Sequence, residues 1–184
     1  ACTYLKDFGA ATASNGAVGL YHIENLTPEA VEQGESIIAE NAQVYVIDDA
    51  ELERVKAGYP VIWKNPDAAP QLCFVGCPHM TLQQLIDWTV RVGDALRSNG
   101  LKKVTVPTVF TASTPVIKEF EKTPYAKQLK RQGIILSYIC PLMYMNNPMC
   151  AKMPVITNSN KLRTYTTSRY YSDSEILDQI TGGV

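Results

Sequence analysis

Two cysteines in the same local context are the residues of this sequence best suited to bind a soft metal. Cys77 and Cys140 are each followed by a proline, Pro78 and Pro141. Proline lacks the backbone donor and keeps the preceding residue extended. Cysteine thiolates bind zinc, copper and iron–sulfur clusters. The pattern indicates two candidate metal ligands, although a cysteine is more often a small buried hydrophobic residue.

A polar run later in the chain could bind an anion. Asn158, Ser159 and Lys161 follow an apolar stretch and offer an amide, a hydroxyl and an ammonium group. Short donors around one cation are what a carboxylate or phosphate needs, although an ordinary polar turn has the same composition. His79 lies two residues after Cys77 and could contact a substrate or cap a helix. These four residues are therefore candidates for binding an anionic substrate, with an ordinary polar turn and a helix cap as the alternatives.

Cys73 and Cys77 form a Cys-x-x-x-Cys pattern, which could also indicate zinc. Residues four apart on a strand are about 13 Å apart, too far to share one ion unless the strand ends between them. We therefore assign Cys73 to the core and keep zinc as a weaker alternative. The sequence has only two histidines, which excludes a histidine-rich metal site. It contains no Gly-x-Gly-x-x-Gly, Walker or Gly-x-Ser-x-Gly motif.

The elements that must position these residues alternate along the chain. Apolar runs rich in β-forming residues predict strands at 17–23, 43–47, 72–75, 103–109, 134–139 and 154–157. Helices are predicted between them, so the fold class is α/β, with a mostly parallel sheet covered by helices on both faces. Ligands bind such sheets beyond the C-terminal ends of the strands, where Cys77 and Cys140 are expected.

Helix starts are the clearest local signals. Thr81 with Gln84 and Ser172 with Glu175 have the spacing of a capping box, as has Asp48 with Glu51 before a short helix that ends near Gly58. Two more helices are predicted from Thr-Pro pairs, one at 27–28 that runs to about residue 40 and one at 114–115.

Composition restricts the kind of protein. The chain has 184 residues, 46% of them hydrophobic, as expected for one compact domain. Its net charge of −1 combines 17 basic and 18 acidic residues, so neither nucleic acid nor an anionic membrane is an expected partner. Apolar runs are far shorter than the roughly 20 residues of a membrane span. Five cysteines and no secretory signal favour a reducing cytoplasm.

Several motifs in order resemble the aconitase X family, the large-subunit relatives of aconitase that include phosphomevalonate dehydratase and the cis-3-hydroxyproline dehydratases. The resemblance covers most of the chain. Its motifs are Leu-Lys-Asp-Phe-Gly-Ala-Ala at 5–11, Ser-Asn-Gly-Ala-Val-Gly-Leu-Tyr-His at 14–22, Leu-Thr-Pro-Glu-Ala at 26–30, Gly-Cys-Pro-His at 76–79, Cys-Pro at 140–141 and Thr-Asn-Ser-Asn-Lys at 157–161.

The resemblance implies an aconitase-like domain over residues 1–184 and a role in an enzyme. Since the chain opens at Ala1 without an initiator methionine, we expect it to be a piece of a longer large subunit. The implied reaction is the dehydration of a hydroxy acid such as phosphomevalonate or cis-3-hydroxyproline by an iron–sulfur dependent hydro-lyase. The isolated chain is expected to be inactive.

The resemblance also implies roles for particular residues. Cys77 and Cys140 correspond to two of three cluster ligands, with the third in the N-terminal half of the large subunit. Lys161 corresponds to a lysine that contacts substrate, and Asn160 replaces the usual glycine before it. The catalytic base is expected from a swivelling small subunit or domain. The alternative hypothesis is a non-catalytic binding or scaffold domain that keeps the aconitase-like fold.

Overall fold

A five-stranded parallel sheet forms the centre of the C-terminal part of the chain. The computed structural model describes residues 2–183. The strands lie in the order β3-β2-β1-β4-β5, and every neighbouring pair is parallel. Their bounds are Leu72–Met80 for β1, Thr108–Ala112 for β2, Ile135–Ser137 for β3, Val155–Thr157 for β4 and Arg169–Tyr170 for β5. The predicted fold class, a parallel sheet with helices on both faces, is confirmed.

Helices precede the sheet and connect its strands. Three come before β1, and two 3₁₀ turns, Gly34–Ile37 and Cys150–Lys152, lie in connections. The helices are α1 (Cys2–Gly16), α2 (Pro28–Gln33), α3 (Asp49–Ala57), α4 (Leu82–Ser98), α5 (Thr114–Glu121), α6 (Pro124–Arg131), α7 (Pro141–Met145), α8 (Asn160–Tyr165) and α9 (Asp173–Thr181).

The two faces of the sheet bury separate cores. Cys73 and Val75 of β1 pack with α4, α5, α6 and α9 in the larger core. Phe74 and Cys77 point to the other face, where they pack with Met145 of α7 and other buried residues in the smaller core. Alternation along a strand sends neighbouring side chains to opposite faces. Since Cys73 and Cys77 lie in different cores, the zinc alternative built on this pair loses its geometric basis.

The three capping pairs that the sequence predicts are present at helix starts. Thr81 accepts a hydrogen bond from the backbone of Gln84, whose side chain accepts one from the backbone of Thr81. The same reciprocal box joins Ser172 and Glu175 at α9. Asp48 caps α3 by accepting from the backbone N–H of Glu51. Capping depends on residues three apart, so these starts are readable locally.

Several predicted bounds are wrong, each for a local reason. The helix predicted from Pro28 to about residue 40 ends as α-helix at Gln33, where Gly34 takes a φ of 57°. The strand predicted at 103–109 begins only at Thr108, because Pro107 lacks the N–H that a sheet ladder needs. Residues 158–171, a polar stretch for which no element is predicted, contain the short elements α8 and β5.

Two predicted strands are absent from the sheet. Residues 17–23 and 43–47 have the composition of strands, yet within the described residues 2–183 neither is paired with another strand. A strand needs a neighbour to satisfy its backbone donors and acceptors. In the same described range, no helix is long and apolar enough to cross a membrane.

Candidate functional site

A crevice opens where the strand order of the sheet reverses. The chain proceeds from β1 outward through β2 and β3, and then returns to the other side of β1 with β4. The C-terminal ends of β1 and β4 therefore diverge, which is where ligands bind in open α/β sheets. A cavity of about 710 Å³ lies there. Four of the six predicted site residues line it: Cys77, Asn158, Ser159 and Lys161.

A bulge at the end of β1 orients Cys77. Gly76 has a φ of 114°, and a Cβ on it would lie 2.5 Å from the carbonyl oxygen of Thr111 on β2. The Thr111 hydroxyl donates to the Gly76 carbonyl oxygen at 2.6 Å. The pairing of β1 with β2 changes register between Val75 and Met80. The bulge places Cys77 on the same face as Phe74, although the two residues are three apart.

The environment of Cys77 contains groups that raise the pKa of its thiol and groups that lower it. The residue is only 7% exposed, and burial raises the pKa of its thiol. A hydrogen bond from the Ser159 side chain opposes that effect, the neighbouring Cys140 adds to it, and the charge of Lys161 opposes it. Nearby charge and donors stabilise a thiolate, whereas an apolar core disfavours it. Cys77 is thus a protonated thiol with the partners of a thiolate beside it.

Cys140 lies close to Cys77 although it follows β3, which is not adjacent to β1 in the sheet. It is the N-cap residue of α7, after β3, and it is half-buried. The rings of Tyr144 on α7 and Phe74 on β1 lie 5.3 Å apart, and the Tyr144 hydroxyl lies 3.0 Å from that of Ser137. These contacts hold α7 against the end of β1. They bring together two cysteines that are distant in sequence.

The loop after β4 supplies the polar side of the crevice. Ser159 is the N-cap of α8, accepts a hydrogen bond from the backbone of Leu162 at 3.0 Å and donates to the Cys77 carbonyl oxygen. The Asn158 amide donates to Asp173 at 2.8 Å. Lys161 lies in the first turn of α8, and in the described part of the chain it makes no ion pair. Its ammonium group can therefore receive an anion.

His79 is half-buried near the end of β1. Its Nε2 atom is buried and has no hydrogen-bond partner among the described residues. Burial lowers the pKa of its imidazole, and the nearby charge of Lys6 lowers it further. A neutral ring with a free nitrogen can accept or donate one hydrogen bond. His79 is not among the residues that line the crevice, so its contact with substrate stays a prediction.

Helix α1 forms a wall of the crevice. The Lys6 ammonium donates to the carbonyl oxygens of Pro78 and His79, and it lies 3.5 Å from the Asp7 carboxylate. At the other end of α1, the Asn15 side-chain oxygen accepts from Arg163 at 2.7 Å and from Thr164 at 2.6 Å. Sequence reasoning about chemistry missed Lys6, Asp7 and Asn15, although the Lys-Asp and Ser-Asn-Gly motifs that contain them were visible.

The donor set fits part of an iron–sulfur site. Such clusters are held by cysteine thiolates, and the thiol of Cys140 lies beside that of Cys77, which lines the crevice. In residues 2–183, no three histidine, cysteine, aspartate or glutamate side chains are grouped to hold a metal ion. The two cysteines can therefore supply part of a ligand set.

Comparison with known proteins shows which family the chain resembles. Residues 2–57 match the family model described as the aconitase X second domain. The chain is 28% identical over 171 residues to the phosphomevalonate dehydratase large subunit of Thermococcus kodakarensis, which covers 92% of this chain. The corresponding subunit of Methanosarcina mazei is 25% identical and covers 97% of it. These similarities support the aconitase X family for this chain.

The fold of this chain also matches a solved structure. The holo-form of Thermococcus kodakaraensis aconitase X superposes with a TM-score of 0.76 at 23% identity and covers 98% of this chain. The chain accounts for 44% of that structure. It likewise spans 40% and 42% of the two curated relatives named above. The similarity thus extends over nearly all of this chain and less than half of each relative.

Proposed function

We propose that this chain is part of an iron–sulfur dependent hydro-lyase that dehydrates a hydroxy acid. The observation that carries the proposal is that Cys77, which lines the crevice together with Lys161, has both Cys140 and Lys161 close to its thiol. These residues come from the ends of β1, β3 and β4, and the crevice lies where α/β folds bind ligands. The named relatives are phosphomevalonate dehydratase subunits, which favours phosphomevalonate over cis-3-hydroxyproline as the substrate.

Cys77 and Cys140 would hold the cluster as thiolates. The pKa of the Cys77 thiol is raised by burial, so metal binding must release its proton. The Ser159 hydroxyl and the Lys161 ammonium favour the thiolate that results. A bound cluster would supply an open iron position as a Lewis acid for the substrate hydroxyl.

Lys161 would bind the substrate carboxylate or phosphate through its ammonium group. Ser159 and Asn158 hold the loop in place, because Ser159 bonds to the Cys77 carbonyl and Asn158 bonds to Asp173. In the dehydration, the carbon–oxygen bond breaks, the hydroxyl leaves as water and the neighbouring carbon loses a proton. We assign that proton to a base on a small subunit or swivelling domain.

The proposal treats residues 1–184 as one domain of a longer large subunit in the cytoplasm. The lengths of the relatives support the view that the chain is one domain of a longer subunit, since it spans 40% of one relative and 42% of another. The described cysteines support the second, because Cys73, Cys77, Cys140 and Cys150 are free thiols. The chain alone would then lack a full ligand set and would be inactive.

The test is the iron and acid-labile sulfide content of anaerobically purified protein, with its visible spectrum. We expect a cluster when the chain is joined to its N-terminal half and none in the chain alone. Cys77→Ala and Cys140→Ala should each remove it. Cys150→Ala is the matched control and should keep it, because Cys150, in the 3₁₀ turn before β4, is not among the groups that act on the Cys77 thiol.

A substrate-binding role for Lys161 predicts a different result. Lys161→Ala in the joined protein with its small subunit should keep the iron and sulfide but lower turnover roughly 100-fold, because the substrate loses its orienting cation. Absence of iron in the joined wild-type protein would contradict the dehydratase proposal and favour the non-catalytic scaffold.

A further inference from the structure

An exposed apolar segment precedes the sheet. Val44, Tyr45, Val46 and Ile47 are 90%, 69%, 74% and 67% exposed, respectively. Four consecutive large apolar side chains in water are unusual for a folded protein, and exposed clusters of this kind mark interaction surfaces. Their types are also those enriched in strands. The segment therefore has the composition of a buried strand and the exposure of an unpartnered one.

A second segment shares this property, and a helix lies between the two. Residues 17–23 also predict a strand, and Val18 and Leu20 are 43% and 75% exposed. The connection contains α2 and the 3₁₀ turn Gly34–Ile37, with Val31 and Ile38 exposed on it. Strand, helix and strand in this order form a crossover unit, and the linking stretch exceeds the 10–12 residues that such a unit needs.

Helix α3, which follows residues 43–47, contacts α9 on one side and exposes apolar side chains on another. Lys56 of α3 forms an ion pair with Glu175 at 2.8 Å, which ties α3 to α9. Leu52 and Val55 lie three residues apart on α3 and are exposed. Residues at this spacing share one helix face. Exposed apolar side chains are thus present on α3 as well as in the two segments.

The polypeptide that would cover this exposed surface is indicated by the relatives that the chain matches. The second-domain family model covers residues 2–57, whereas the sheet begins at Leu72. The solved Thermococcus structure aligns with 98% of this chain but extends well beyond it, since the aligned part is 44% of its length. A large body of polypeptide in such a relative is therefore available to cover this surface.

We propose that residues 17–57 form a strand–helix–strand unit of a second sheet, completed by strands of the large subunit that lie outside this chain. The inference rests on the proposed function, which makes the chain a piece of that subunit. In an extended strand, Val44 and Val46 face one side and Tyr45 and Ile47 the other. Because both sides are apolar, residues 43–47 form an interior strand covered on both faces.

The unit connects to the catalytic crevice. Ile23, at the end of the first segment, and Leu26, before α2, both line the cavity that contains Cys77 and Lys161. Docking of the unit against the rest of the subunit fixes this wall of the crevice. The same part of the subunit that supplies further cluster ligands thereby shapes the site.

Hydrogen–deuterium exchange of the backbone amides tests the inference. We expect residues 19–22 and 43–47 to exchange rapidly in the 184-residue chain. In the chain joined to its N-terminal half, their exchange should slow by about 100-fold or more, because strand pairing protects amides. Val44→Glu should abolish that protection, whereas the matched control Gln43→Glu, which adds the same charge without removing apolar surface, should keep it.

Three results separate the possible failures. Rapid exchange at 43–47 in a joined protein that contains iron would overturn this inference and leave the dehydratase proposal intact. Protection in a joined protein without iron would support the inference and contradict the dehydratase. Protection that grows with the concentration of the 184-residue chain would assign the surface to a second copy and would overturn the inference. The unfolding temperature of Val44→Glu in the short chain should equal that of the wild type.

Discussion

Neighbouring cysteines of one strand have different environments in this protein. Cys73 is fully buried in the larger core, and burial raises the pKa of its thiol, with a hydrogen bond to Thr108 acting in the opposite direction. Cys77 has Ser159, Cys140 and Lys161 around its thiol. A thiol without a nearby cation stays protonated and inert, whereas one beside an ammonium can become a ligand. Position on the strand therefore decides which cysteine is available for chemistry.

The pKa of Cys73 predicts a pH dependence of stability. Above the ordinary thiol pKa of 9.0, the unfolded chain loses this proton while the folded chain retains it. Each further pH unit should then lower the free energy of unfolding by about 1.4 kcal/mol. Cys73→Ala removes this pH dependence. The difference in free energy of unfolding between wild type and mutant, measured by urea denaturation, should therefore be smaller at pH 10 than at pH 8.

Val75→Ala is the control for this measurement. Val75 is buried in the same core but carries no titrating group. Its stability deficit against the wild type should be equal at both pH values, because a cavity costs the same whatever the protonation state. A gap for Cys73→Ala that also stays constant would show that the buried thiol does not contribute.

Strand β1 combines a structural and a chemical task. Its first residues pair with β2 and β4 on either side, as the central strand of a parallel sheet should. Its last residues depart from regular pairing at Gly76, where the Cys77-Pro78 peptide bond is cis. A bulge redirects side chains and occurs often beside functional sites. The irregular end of β1 allows Cys77 to line the crevice and face the smaller core.

Substitution of Gly76 should therefore be costly. Gly76→Ala introduces a Cβ at 2.5 Å from the Thr111 carbonyl oxygen in a backbone conformation that favours glycine. We expect a loss of at least about 3 kcal/mol in the free energy of unfolding, measured by urea denaturation. Gly100→Ala is the matched control, since Gly100 also has a positive φ of 67° but an added Cβ meets nothing within 4 Å. Its cost should be about 1 kcal/mol, and equal costs would contradict the steric argument.

The chain as a whole consists of a well-packed sheet region and a preceding region with few buried residues. Most residues of the two cores come from 72–180, whereas residues 17–57 contribute only Ala30 to the buried apolar set. Helix α1 belongs with the sheet region, because Asn15 bonds to Arg163 and Thr164. Buried apolar contacts supply most of the resistance to local unfolding. Stability is therefore distributed unevenly along the chain.

Limited proteolysis should reveal this difference. Thermolysin cleaves before large apolar residues in accessible backbone, so its first cuts should fall at Val44, Val46 or Ile47. Equally suitable residues of β1 and β2, such as Val75 and Phe110, are buried and should resist. Mass spectrometry of early products would identify the sites. First cuts within residues 72–112 would contradict this distribution of stability.

Local sequence determined where helices begin and which strands could form a parallel sheet. Thr81, Ser172 and Asp48 act through partners three residues away, so their capping is independent of the rest of the fold. The apolar runs at 72–75 and 154–157 predicted β1 and β4 for a similar reason. Because ligand-binding residues follow the strands of a parallel sheet, the order of the motifs also placed Cys77 and Lys161 at its C-terminal edge.

Tertiary structure alone decided which of these residues meet. Cys140 reaches Cys77 because α7 packs on Phe74, and Lys6 reaches His79 across 73 residues of sequence. Both contacts depend on long-range packing, which no local pattern encodes. The same reason explains the wrong prediction of a strand at 43–47. The residue types there are those of a strand, but residue type alone does not supply a pairing partner. A strand exists only with a partner, and among residues 2–183 that segment has none.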